Sequence, residues 1–251
     1  MNTLHEILRF AHIAGGAVAL VAFWVPALTK KGSPVHRQGG RVYVRGMGVV
    51  MATSLPLSTI SFAGGNWVGG TFLLYLFVIT ATAMYTGLRA LKSKSGPGQL
   101  ITPIYVALGW TTLIGGIVVL TLGLATKTWL LVGFSAIGLT AGPAQIAFIR
   151  KPPTDPRYWW YEHFGGMIGS GIAAHVAFLA FGARRLIPGY DLGNWGMLAW
   201  FLPVIAGVVA INRLKAHYRV KFAPRLRAAA SVPAGDAASA PELQAQQAGL
   251  Q

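Results

Sequence analysis

Residues 46–88 read GMGVVMATSLPLSTISFAGGNWVGGTFLLYLFVITATAMYTGL, an interval bounded by Arg45 and Arg89 that contains no Asp, Glu, Lys or Arg. An apolar helix needs about 20 residues to cross the hydrocarbon core of a bilayer, so this interval is long enough to cross it twice. Its one break, Gly64-Gly65-Asn66-Trp67-Val68-Gly69-Gly70, supplies the residues of a tight turn. Two spans joined by a short link follow. Strands of a membrane barrel would need only about 10 residues each and would alternate polar with apolar side chains, and the interval shows no such alternation.

Working outward, the same logic yields a first span between Arg9 and Lys30 and a fourth from about Thr102 to Ala125. A fifth fills Thr128 to Ile149, a sixth His163 to Gly182 and a seventh Trp195 to Asn212. The expected fold class is all-α, a polytopic transmembrane helix bundle of about seven spans. Composition agrees: 54% of the 251 residues are hydrophobic and 11% charged, under half the charged share of about 25% in soluble domains. The first apolar run follows Glu6 and Arg9 rather than a basic leader, and it is read as a retained helix.

The chain carries 21 Lys and Arg against six acids, a formal charge of +15. In a soluble protein that balance would suggest nucleic acid; here the basic residues punctuate apolar runs, and no nucleic-acid partner is expected. With the N-terminus outside, 17 of the 21 basic residues fall on the inner side. They are Lys30, Lys31, Arg37, Arg41 and Arg45, then Arg89, Lys92 and Lys94, then Arg150, Lys151 and Arg157, and six from Arg213 to Arg227. Retention of Lys and Arg in the cytoplasm therefore predicts an N-out, C-in topology, in a bacterial cytoplasmic (inner) membrane. Trp24, Trp67, Trp129, Trp159, Trp160 and Trp195 lie near span ends, where an amphipathic ring prefers the headgroup level. The domain reading is a seven-span unit over 1–215, a basic juxtamembrane segment over 216–227 facing anionic lipid, and a low-complexity disordered tail over 228–251.

No cysteine is present, which excludes disulfides, thiolate metal sites and cysteine nucleophiles. No nucleophile with a base, no nucleotide-binding glycine loop and no buried carboxylate pair is found. Glu6, Asp155, Glu162 and Asp191 fall near interfaces and Asp236 and Glu242 in the tail, which argues against a carboxylate-based ion carrier.

Histidine is what remains within the spans. By depth, His12 and His175 form an outer pair and His36 and His163 an inner pair. Imidazoles from two helices are what axial ligation of haem b requires, with a lone metal ion, held by His12 or His163, as the other cofactor reading. Histidines satisfied by main-chain carbonyls or interfacial water are the structural alternative. His163 and His175 are twelve residues apart, which at 100° per residue leaves them about 120° apart around one axis, so two stacked haems on one face fit badly. Ala11, Gly15 and Ala19 in one span and Gly165, Gly169 and Ala173 in another form small-residue stripes. Such stripes fit helix packing, a flat macrocycle, or a membrane-protein partner or second copy.

The segment His36-Arg37-Gln38-Gly39-Gly40-Arg41-Val42-Tyr43-Val44-Arg45 is read as the first inner loop. Arg37 and Arg41 could hold a phosphate, a propionate or another anion while Gly39 and Gly40 let the backbone turn. Alternatively they meet lipid phosphates, and Tyr43 anchors the next span. The HRxxGRVY pattern, the first-span His followed by small residues, and the stretch EHFGGMIGSGIAAHVAF from Glu162 to Phe178 together resemble a family of bacterial multi-spanning predicted membrane proteins of unknown function. The resemblance covers roughly residues 5 to 183, and it implies a membrane location without naming a reaction. Three functional readings follow: a histidine-ligated membrane redox protein, a transporter or binder of a small anion, and a membrane assembly or scaffold protein.

Overall fold

The computed structural model describes residues 3–183, 187, 189, 193 and 196–230. They form seven long helices: α1 Thr3–Leu28, α2 Pro34–Ala63, α3 Trp67–Ala90, α4 Pro103–Ala125, α5 Trp129–Arg150, α6 Tyr158–Ala177 and α7 Gly196–Ala230. α6 runs on through a π-helical turn, Phe178–Gly182, and a 3₁₀ turn at Pro97–Gln99 precedes α4. No strand occurs among the described residues. All seven helices are long and apolar enough to cross a membrane. Phe10, Val21 and Leu28 on α1 are at least 72% exposed, a surface that only lipid can solvate at this density.

The helix starts are chemically specified. Ser33 Oγ accepts the His36 N–H (3.1 Å) and Pro34 occupies the first turn, where its missing N–H and fixed φ cost nothing. Thr102 caps α4 through the Tyr105 N–H (3.1 Å), again with proline following. Asn66 caps α3 through the Gly69 N–H (2.9 Å). The link before it turns through Gly65 at φ +81°, a conformation that favours glycine.

Two expectations change. The HRQGGRVYVR segment is not a loop but the first three turns of α2, because the Ser33 cap and Pro34 start the helix well before Arg45. At 30 residues, α2 is about 45 Å long and outlasts a hydrocarbon core of about 30 Å, which accommodates charged turns at one end. The basic stretch after Asn212 is likewise helical, continuing α7 to Ala230. The rest of the expected tail, 231–251, lies outside the described residues, as do Arg184, Arg185, Asp191 and Trp195.

α3 and α6 form the centre: α3 packs against α2, α4, α5 and α6, and α6 against α1, α3 and α7. Successive helices run antiparallel, so the links around Lys31, Lys92, Lys151 and the C-terminal half of α7 gather at one end, hereafter the basic end. Lipid is as apolar as leucine, so contact between spans depends on close approach, and glycines provide it. A Cβ on Gly46 would lie 2.9 Å from Gly15 O, one on Gly116 3.0 Å from the Gly138 backbone, and one on Gly166 2.4 Å from Ala83 O. On α6 the stripe in tightest contact is therefore offset by one residue from that expected. Gly165 faces no atom within 4 Å, whereas Gly166 and the buried Ser170 pack inward. Of the expected tryptophan anchors, Trp24, Trp67 and Trp129 are exposed near helix ends. Trp159 instead lies under Lys94, and Trp160 packs on Tyr218 and Phe222 of α7.

Candidate functional site

Tyr43 of α2 is buried and its hydroxyl hydrogen-bonds Ser170 Oγ of α6 at 2.6 Å. This bond sets the register of two parallel helices. Ser170 Oγ donates onward to Met167 O at 3.0 Å, so the Tyr43 hydroxyl is the donor to Ser170. Tyr43 is thus a strut between spans rather than an interfacial anchor, set among Met47, Met84 and Met167.

Seven residues before Tyr43 on α2 is His36, and seven before Ser170 on α6 is His163. Two helical turns, about 10.5 Å along each axis, bring both imidazoles to one level at the basic end, within electrostatic range of each other. Each is oriented by a main-chain carbonyl. His36 Nδ1 lies 3.0 Å from Pro26 O at the end of α1, and His163 Nδ1 lies 2.8 Å from Gly87 O on α3. A carbonyl only accepts, so Nδ1 carries the proton in both rings and Nε2 carries the lone pair. Among the described residues neither Nε2 has a hydrogen-bond partner. A Cβ on Gly40, one turn from His36, would meet nothing within 4 Å.

The surrounding cations are already engaged. The Lys31 ammonium donates to Pro26 O (2.7 Å) and Ala27 O (2.8 Å), capping α1, and burial holds it below the ordinary lysine range. Lys94 stands 4.7 Å from the centre of the Trp159 ring. Arg37, Arg41 and Arg45 recur every four residues along an exposed face of α2. The anion site expected from Arg37 and Arg41 is therefore not gathered around the histidines, and Gly39 serves packing: a Cβ there would lie 2.5 Å from Val25 Cγ1.

The outer pair is not assembled. Thr53 Oγ1 donates to Val49 O, and so accepts from His12 Nδ1 at 2.9 Å. His175 donates from Nδ1 to Gly171 O (2.8 Å) and faces Phe23 and Trp24 of α1, with its Nε2 buried and unpartnered. His12 and His163 cannot share one ion. The α2 residues that accompany them, Thr53 and His36, are seventeen residues apart, about 25 Å along the helix. No group of three His, Cys, Asp or Glu able to hold a metal exists among the described residues.

Sequence reasoning missed a second polar site. Between α5, α6 and α7 at the basic end lies a cavity of about 420 Å³, with Glu162, Lys215, Arg219, Lys151 and Asp155 on its walls. Only helical spacing would have hinted at it: residues 144, 147 and 148 share one face of α5, with Lys151 just past its end, and 158, 161 and 162 share one face of α6. No family model, curated protein or solved structure matches the chain.

Proposed function

We propose that this protein is a multi-pass redox protein of a bacterial cytoplasmic membrane, with its basic end in the cytoplasm, in which His36 and His163 are axial ligands of a b-type haem. The observation that carries this reading is the shared level of two imidazoles, each with Nδ1 tied to a main-chain carbonyl and Nε2 unpartnered. That hydrogen bond is the outer-shell contact that orients an imidazole toward a metal. Two protein ligands suffice for a six-coordinate haem iron, whereas a structural zinc site needs four. The resemblance carried by His36, Arg37, Gly40, Arg41 and Tyr43 supports a role for this segment but names no activity.

The test is the visible spectrum of protein purified in detergent, before and after dithionite. A Soret band with sharp reduced α and β bands is expected, lost in His36→Ala and in His163→Ala but kept in His12→Ala. A colourless protein from haem-replete cells would end the proposal. The second reading, a binder of small anions, rests on the proximity of Lys31 and Lys94 to His163. It is the weaker one because both ammoniums have partners, and it predicts anion uptake that Lys94→Gln abolishes.

A further inference from the structure

The cavity between α5, α6 and α7 lies on the face of α6 turned away from the histidine pair, so adjacent residues serve different sites: His163 bonds α3, while Glu162 faces the cavity. Among the described residues the Glu162 carboxylate has no hydrogen-bond partner, and the one ion pair is Arg9–Glu6, at the far end of the bundle. Lys215 acts on Glu162 electrostatically from the α7 wall without closing to an ion pair. Arg219 follows Lys215 by one turn, and Lys151 completes a cationic rim. Asp155 is a second carboxylate on the wall, with its Oδ1 also accepting the Arg157 N–H at 2.8 Å. An unpaired carboxylate and a set of cations thus face one space without neutralising each other. The remaining wall combines the aromatic Phe148, Tyr158 and Tyr161 with Ala144, Ala147 and Pro153.

We propose that this cavity binds a phosphoethanolamine group, whether as a phospholipid headgroup or as a free small molecule. A ligand that spans the gap must present a cation to Glu162 and an anion to Lys215 and Arg219. A phosphate suits the anionic end, because a guanidinium meets two of its oxygens at once and the three cations outnumber the two carboxylates on the walls. An ammonium suits the other end, where the Glu162 carboxylate can accept its hydrogen bonds. The volume, about 420 Å³, falls in the range of small-molecule sites. Its place among helix ends puts it at the level of lipid headgroups.

The test uses the full-length protein in detergent, with retention measured by native mass spectrometry. The probes are dioleoylphosphatidylethanolamine, dioleoylphosphatidylglycerol and soluble O-phosphoethanolamine. Wild type should prefer the ethanolamine lipid over the glycerol lipid by about tenfold, the size of one charge-assisted contact. Glu162→Gln, which keeps the shape of the side chain, should erase that preference without lowering retention of the glycerol lipid. Arg219→Gln should weaken both. Displacement of the lipid by O-phosphoethanolamine would identify a free molecule as the ligand, and retention against it the lipid. Equal retention of the two lipids by wild type, or an unchanged preference in Glu162→Gln, would overturn the proposal whatever the haem spectrum shows.

Discussion

Tyr75 on α3 shows how one hydroxyl can join two spans. It donates to Phe134 O (2.9 Å) and accepts from the Gly138 N–H (2.8 Å), the two groups that an uninterrupted α5 would pair with each other. A side chain inserted into the ladder in this way is a recognised cause of helix bending. Removing the hydroxyl leaves both groups able to pair within α5. Tyr75→Phe should therefore cost about 1 kcal/mol, the net value of an ordinary hydrogen bond. Gly138→Ala should cost more, about 1–3 kcal/mol, because its Cβ would stand 2.6 Å from Thr112 O, a main-chain atom that cannot move aside. Thermal unfolding of the purified variants checks the order, and a Tyr75→Phe loss exceeding that of Gly138→Ala would contradict it. The histidines could be singled out in the sequence as candidates, since no Asp, Glu, Lys or Arg falls in the middle of a span. Their partners could not: Thr53, Pro26 O and Gly87 O come from other helices or from the backbone, and neither leaves a local signal.

At the scale of helices, uncharged length was enough to find all seven, because a charged side chain in hydrocarbon is costly and a spanning segment must satisfy its backbone as a helix. Helix ends were less legible. Charges at Arg37, Arg41 and Arg45 suggested a loop, yet a helix can carry them past the hydrocarbon, and the capping chemistry of Ser33 and Pro34 marks the true start. Rotational phase was harder still, as adjacent glycines on α6 demonstrate. Gly165 and Gly166 are equivalent in composition, but only Gly166 meets α3, with a would-be Cβ 2.6 Å from Gly87 N. Gly165→Ala should leave stability unchanged or raise it by about 0.5–1 kcal/mol through helix propensity. Gly166→Ala should separate α3 from α6, lowering the melting temperature and shifting the His163–Gly87 hydrogen bond. Because that bond orients His163, the haem spectrum expected under the proposed His36–His163 ligation should weaken in Gly166→Ala and persist in Gly165→Ala. Matching spectra and melting temperatures for the pair would contradict the assigned phase of α6.

For the whole molecule, the antiparallel order of the seven helices turns a charge pattern into a prediction of orientation. The links that carry Lys30 and Lys31, Lys92 and Lys94, and Lys151 with Arg157 all emerge at one end, together with the charged half of α7. The opposite end presents the uncharged Gly64–Asn66 turn and the short Thr126–Thr128 link with Lys127. Cationic loops resist translocation, so the basic end should remain cytoplasmic. The absence of native cysteine makes the measurement direct, because a single introduced thiol reports alone. Gly65→Cys is unsuitable, since its φ of +81° disfavours a side chain, but Trp67→Cys and Thr126→Cys replace exposed residues on the far side. In intact cells a membrane-impermeant maleimide should label these two and leave Lys92→Cys and Lys151→Cys unmodified until the membrane is opened. The Lys92 and Lys151 positions follow α3 and α5, so labelling of one without the other would break the alternation itself. Labelling of both in intact cells would keep the fold and reverse its orientation, moving the His36–His163 pair and the Glu162 cavity to the outer face together.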